Sequence, residues 1–391
     1  MTRVAWRSWA VAVKLLVWVV ALGLVGLAGA ESFLRLRSAR ERARLRQAAP
    51  HRARIEDGCR EAGTSHLHPH YLFFLPFTAE RRAAISTGVC GITPDGFRKP
   101  GPDQRGARRL AFLIGGSVAF SDMASSDEAT ITSALNRLQD AYFFVTAGVP
   151  GWNSSQELSR VAFQLLDYAP ALVVALDGAN DAALADRYAG RGDDWAGVPA
   201  DFDLLAQMAD RQTPLAALAG VRDALLPALT VRWRMQREAA EIAAHGPPTA
   251  ADMQRGASRY ITNLTRMRDL VAASGGRFVA VFQPMAQLHR KLDAPFIGVR
   301  QLDAFHSAAV QGAAAHGAAV TGAPAGLEFH DFARLFDGLL PVVHVNEGEV
   351  TPDTVFVDDV HLHDRGNALL AEALWTAIRE GTQDAPPPGH R

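Results

Sequence analysis

Between residues 109 and 282 the apolar positions gather into four short blocks. Residues 110–114 read LAFLI, 142–147 YFFVTA, 171–176 ALVVAL and 277–282 RFVAVF. Each block is almost uniformly apolar, without polar alternation, which is the pattern of strands buried on both faces. Each stops at a turn signal: Gly115-Gly116, Gly148, Asp177-Gly178 and Gln283-Pro284. Helical stretches at 127–139, 154–167 and 263–273 separate them. Strand and helix in alternation predict an α/β domain with a parallel sheet covered by helices. In such sheets ligands bind beyond the carboxyl ends of the strands.

Residues 182–257 break this rhythm with helical patterns at 204–209, 215–229 and 231–244, ended by Gly246-Pro247-Pro248. They read as a helical insertion capping the strand ends. The α/β domain is expected to span 105–382, followed by a flexible tail at 383–391 containing Pro386-Pro387-Pro388. Ahead of it, 31–104 reads as an Arg-rich juxtamembrane linker with at most a short helix, then an irregular region. That region holds Tyr71, Phe73, Phe74 and Phe77, and the turn signal Pro94-Asp95-Gly96.

The first 30 residues are of another kind. Residues 9–30 read WAVAVKLLVWVVALGLVGLAGA, with Lys14 the only charge. A bilayer needs about 20 apolar residues, so the segment is long enough to span it. Trp6, Trp9 and Trp18 suit a headgroup belt. A retained anchor competes with a secretory signal, because Arg3, Arg7 and Lys14 precede the apolar run and Ala28-Gly29-Ala30 resembles a cleavage site. Either reading puts the rest of the chain outside the cytoplasm, membrane-anchored or secreted. Arg35, Arg37, Arg40, Arg42, Arg44 and Arg46 oppose that orientation by the positive-inside rule. Cys59 and Cys90 are the two cysteines, and a disulfide or two thiols are both open.

Composition then removes several classes. A hydrophobic fraction of 48% and a charged fraction of 21% exclude a disordered or collagen-like chain. Lys+Arg 40 against Asp+Glu 41 leaves a formal charge of −1, with no basic surplus for a nucleic-acid partner. No cofactor or metal is expected. His66, His68 and His70 alternate around Pro69, but no cysteine or carboxylate set accompanies them.

Candidate chemistry sits in four short segments. Ser117 follows a strand and the Gly115-Gly116 pair, so its hydroxyl is presented at the sheet edge and its N–H opens a helix; an ordinary N-cap serine would look the same. Gly148-Val149-Pro150-Gly151 is a tight loop in which Gly151 permits close approach of a ligand to backbone; the alternative is a plain turn. Asp177-Gly178-Ala179-Asn180-Asp181 offers the Asn180 side-chain amide as an oxyanion donor or as a turn residue. Asp358-Asp359-Val360-His361-Leu362 sets Asp358 three residues before His361, near enough to orient an imidazole as general base. Asp359 and His363 rank below them by position.

These four blocks in this order, with Gly366-Asn367 after the last, resemble the SGNH (GDSL-type) serine hydrolase superfamily. The first block reads Gly-Gly-Ser-Val where the name-giving motif is Gly-Asp-Ser-Leu. The N-terminal apolar segment and Asp95-Gly96-Phe97-Arg98 resemble membrane-anchored bacterial members. The resemblance implies a flavodoxin-like three-layer α/β/α sandwich with a parallel sheet. It implies Ser117 as nucleophile, His361 as general base and Asp358 as its orienting partner. The oxyanion hole would comprise the Ser117 N–H, the Gly151 N–H and the Asn180 side chain. The expected activity is a serine esterase acting on an O-acyl ester, for example O-acetyl, of a small molecule or cell-envelope glycan. An O-acyltransferase with the same triad, and a non-catalytic envelope-binding protein on the same scaffold, are the alternatives. Sequence decides neither the acyl chain nor the oligomeric state.

Overall fold

The computed structural model describes residues 3–48, 85–86, 90–93, 95–187, 225–293, 299, 301–317, 326–346 and 350–383. The chain forms two compact units: Met1–Gln47 with Ala200–Ala244, and Ala48–Pro199 with His245–Arg391.

In the first unit one helix runs through Arg3–Ala48, 46 residues. At 1.5 Å per residue it is about 69 Å long. Its Val17–Glu41 portion is long and apolar enough to cross a membrane. The Arg-rich stretch after Glu31, expected as a linker with a short helix, instead continues the same helix to Ala48. Ala, Arg and Leu are strong helix formers, and no Pro or Gly follows Gly29 until Pro50. Glu31 is buried and accepts hydrogen bonds from the N–H groups of Ala228 (3.0 Å) and Leu229 (2.9 Å). These open the insertion helix Pro227–His245, whose first N–H groups lack intrahelical acceptors. Of the expected insertion, 188–224 lies outside the described residues, as do Cys59, His66, His68, His70 and the tail 384–391.

The second unit is built on five parallel strands: β1 (Arg109–Gly115), β2 (Tyr142–Thr146), β3 (Leu172–Asp177), β4 (Arg277–Phe282) and β5 (Phe329–Asp331). Their order across the sheet is β2-β1-β3-β4-β5. This is the doubly wound, flavodoxin-like order, and the topological switch point falls between β1 and β3. The helices are α1 (Ser117–Phe120), α2 (Ile131–Leu138), α3 (Ser154–Phe163), α4 (Ala179–Arg187), α5 (Ala250–Ala273), α6 (Leu302–Gly317), α7 (Leu335–Leu339) and α8 (Asp364–Gln383). Helix α5 starts well before the boundary expected at residue 257, fixed by a Thr249/Asp252 capping box.

Alternate residues of each strand feed two cores, which is why the strand sequences are apolar throughout. Phe112, Ile114, Val145, Val173 and Ala175 pack with Val161 of α3, Tyr260 and Leu264 of α5, and Phe305 of α6. Ala111, Leu113, Phe144, Val174 and Leu176 pack with Leu135 of α2 and with Leu370, Leu374 and Ile378 of α8. The result is the expected three-layer α/β/α sandwich. The fifth strand escaped the sequence reading because it has three residues, two of them His330 and Asp331.

The segment before β1 joins this core. Phe97 stacks on Phe112 with ring centroids 5.4 Å apart, and the Arg98 N–H reaches the Thr146 carbonyl at 3.3 Å. The Arg98 side chain is 0% exposed. Its Nη1 donates to the carbonyls of Ser121 (2.6 Å) and Phe120 (3.1 Å), and its Nε to Asp127 (2.9 Å). Replacing it takes this donor from the Phe120 carbonyl and the Asp127 carboxylate, and leaves the Ser121 carbonyl with only the Ala124 N–H. Arg98→Ala is therefore expected to lower unfolding stability by about 3–5 kcal/mol, with Arg98→Lys recovering only part, because an ammonium lacks the planar fork. Denaturant titration followed by circular dichroism checks this; a loss below about 1 kcal/mol contradicts it.

Candidate active site

The site forms where β1 and β3 end side by side. Gly115 pairs in register with Leu176 and has φ +142°. A Cβ on Gly115 would lie 2.1 Å from the Leu176 carbonyl oxygen, so no side chain fits. A Cβ on Gly116 would meet the Asn180 Nδ2 at 2.4 Å. The two bare residues let the chain turn into α1 tight against the β3 loop, with Ser117 as the first helical residue. The far end of this four-residue helix is held by Arg98 through the Phe120 and Ser121 carbonyls.

His361 arrives from the segment between β5 and α8. Its Nε2 stands 2.8 Å from Ser117 Oγ. On the other side its Nδ1 stands 2.8 Å and 3.0 Å from the two Asp358 carboxylate oxygens. With Asp358 ionised, Nδ1 carries the proton and Nε2 is left to accept from the serine hydroxyl. Asp358 Oδ1 also accepts from the backbone N–H of His361 (2.8 Å) and Val360 (3.0 Å), so a local turn fixes the carboxylate before the imidazole contributes. The turn closes through the Val357 N–H to the His361 carbonyl at 2.9 Å.

Electrostatics follow this geometry. Burial alone would raise Asp358, but the hydrogen bonds and charge of His361 and the two backbone donors hold it well below the carboxylate range. Burial alone would lower His361; the hydrogen bond and charge of Asp358 prevail, helped by the nearby Asp122 and Asp359 charges, and its pKa is raised.

The oxyanion candidates meet in part. The Asn180 Nδ2 lies against Gly116, next to Ser117, and donates to the Trp152 carbonyl at 2.6 Å. An amide nitrogen carries two hydrogens, so this bond orients the group while a second donor remains. Gly151 precedes Trp152 in the turn after β2, is exposed and has φ +82°. Asn153 then caps α3 with a Gln156 capping box, which fixes where that turn hands over to helix.

The lower-ranked candidates have other occupations. His363 is buried, with Nδ1 3.0 Å from the Met123 carbonyl. Asp359 contributes its carbonyl to the Ala286 N–H (2.9 Å) and its charge to His361. Gly366 and Asn367 act structurally: a Cβ on Gly366 would lie 2.7 Å from the Val355 carbonyl, and Asn367 donates to the Ala129 carbonyl. Asp364 accepts from Ser125 N and Oγ, tying the segment after α1 to the start of α8. Arg98, Asp181 and Asp364 received no role from sequence. Arg98 and Asp181 stood inside motifs already singled out, and their partners lie on other elements. Among the described residues no group of three or more His, Cys, Asp or Glu could hold a metal ion.

No family model matches the chain, and no curated protein matches it significantly. It is similar to several solved structures at low identity. An acetyl xylan esterase aligns at 14% identity over 69% of this chain and 99% of its own, with TM-score 0.39. A lipase/acylhydrolase from Enterococcus faecalis aligns at 17% over 72% and 100%, with TM-score 0.37. A two-domain esterase active on acetylated mannans aligns at 13% over 74% and 54%, with TM-score 0.35. These are likenesses only; the flavodoxin-like arrangement rests on the strand order of the chain itself.

Proposed function

We propose that the chain is a serine esterase that cleaves an O-acyl ester through an acyl-Ser117 intermediate. One observation carries the reading: a continuous line from Ser117 Oγ to His361 Nε2 (2.8 Å) and from His361 Nδ1 to Asp358 (2.8 Å). A serine in an N-cap role needs no such partner, and a core histidine needs no serine.

In the reaction Ser117 Oγ attacks the acyl carbon while His361 Nε2 takes its proton. The carbonyl oxygen becomes negative and is met by the Asn180 amide with the Gly151 and Ser117 N–H groups. The C–O bond to the alcohol breaks as the imidazolium returns the proton to the departing oxygen. Water then attacks the acyl-enzyme, His361 takes a proton from it, and the acid leaves with Ser117 restored. Asp358 holds the tautomer and stabilises the imidazolium throughout. Transfer to a sugar hydroxyl in place of water uses the same steps. Product analysis with a sugar acceptor present separates the two.

The apolar portion of the N-terminal helix supports anchoring at a membrane, with the catalytic unit outside the cytoplasm and envelope or carbohydrate O-acyl groups within reach. Glu31 lies immediately after Ala30 inside a continuous helix and caps the insertion helix. The unbroken helix across Ala28-Gly29-Ala30, rather than the Glu31 cap, supports a retained anchor over cleavage after Ala30. Intact-mass measurement of the membrane fraction is expected to find residues 17–30 still attached; a species beginning at Glu31 contradicts retention.

Two kinetic outcomes follow. Ser117→Ala is expected to abolish turnover of p-nitrophenyl acetate beyond a residue of binding catalysis, a loss of at least about 10³-fold. Wild-type turnover by that variant removes the nucleophile assignment. A general base must be unprotonated, and the His361 pKa is raised, so kcat/KM is expected to fall as pH drops through a midpoint above about 6.5. Asp358→Asn removes what favours the imidazolium. It is expected to move that ionisation to lower pH and to cut kcat by about 10⁴. A pH profile identical to wild type contradicts the pairing.

A further inference from the structure

Behind the oxyanion loops lies a buried acidic cluster that the ester chemistry does not use. We propose that Asp181 is a positioning residue for the oxyanion donors, its ionised carboxylate strapping the Gly151 loop to the Asn180 loop through Ser154. This rests on the esterase reading and deepens it.

The strap is a ladder of two rungs between neighbouring loops. On the first rung Asn180 Nδ2 donates to the Trp152 carbonyl at 2.6 Å. On the second Asp181, the next residue, accepts from Ser154 N at 3.1 Å and from Ser154 Oγ at 2.6 Å. Trp152 follows Gly151, and Ser154 opens α3. The Gly151 and Asn180 donors therefore sit on segments whose separation is set by these bonds. Asn263 of α5 donates to Ser154 Oγ (3.0 Å) and Ser155 Oγ (2.9 Å). Because Ser154 Oγ accepts from Asn263, its own hydrogen points to Asp181. Only an ionised carboxylate accepts at both oxygens without a proton in the way.

The groups facing Asp181 make that charge conditional. Asp177 comes from the end of β3, Glu157 from α3 and Tyr260 from α5. All three are buried, and among the described residues none of their side-chain oxygens has a hydrogen-bond partner outside the trio. Burial drives the Glu157 carboxyl well up, so it keeps its proton. Burial and the Asp177 charge push Asp181 up to about 7, against the hydrogen bonds from Ser154 that lower it. The ionised strap is thus populated above that pH and lost as pH falls through it. Because the pKa is raised on folding, ionising Asp181 costs the fold stability, which declines as pH rises toward about 7. Two deprotonations, at His361 and Asp181, then precede full activity.

The test uses the full-length protein, with p-nitrophenyl acetate as substrate and active sites counted by fluorophosphonate titration. For Asp181→Asn, kcat per active site is expected to drop about 10²–10³-fold with KM changed only a few-fold, as on losing one oxyanion donor. The acid limb of log kcat/KM is expected to have slope 2 in wild type and slope 1 in Asp181→Asn. Ser154→Ala keeps the backbone rung and removes the hydroxyl; a smaller kcat loss is expected, with folding intact. A wild-type kcat per active site in both variants overturns the proposal, and so does an unchanged limb slope. Should Asp181→Asn fail to fold, Ser154→Ala with wild-type kcat overturns it alone. If Ser117→Ala retains wild-type turnover, the esterase reading has failed, whatever the Asp181 variants do.

Discussion

Leu176 and Gly115 are paired neighbours on adjacent strands, and a β-carbon on Gly115 would stand 2.1 Å from the Leu176 carbonyl oxygen. Everything in the site depends on that approach. It lets β1 end flush with β3 at the switch point, so that the first residue of α1 and the second residue of α4 share one space. Gly116 repeats the constraint one residue later against the Asn180 amide. Any side chain at either place moves Ser117 away from Asn180, and the proposed nucleophile loses a proposed oxyanion donor.

Around that contact the fold uses buried and half-buried polar groups to hold short loops still. Arg98 restrains the far end of α1, Asp364 restrains the segment that follows it, and Asp181 restrains the start of α3. These bonds are not surface ion pairs of small net value. They satisfy backbone N–H and C=O groups that would otherwise be buried without partners. The proposed triad has the same economy. Asp358 is oriented by two backbone donors before it orients His361.

The sequence revealed what its local patterns encode. Four strands are legible because both faces are buried and their residues are uniformly apolar. β5 is not, since three edge residues with His330 and Asp331 carry no such signal. Asp358 and His361 are legible as a pair because they are three residues apart. Ser117 and His361 are 244 residues apart, and only the resemblance linked them before the topology did. Arg98 and Asp181 were invisible as functional residues because their partners lie on other elements, many of them backbone groups. The N-terminal helix runs on past the change from apolar to charged residues at Glu31, because helix propensity does not change there.

The central claim is that His361 and Asp358 make Ser117 nucleophilic. Reaction of the full-length protein with a fluorophosphonate, followed by peptide mass mapping, tests it most directly. The account predicts a single adduct on Ser117, formed rapidly by wild type and lost in His361→Ala. An adduct on another serine, or undiminished labelling of Ser117 without His361, would contradict it.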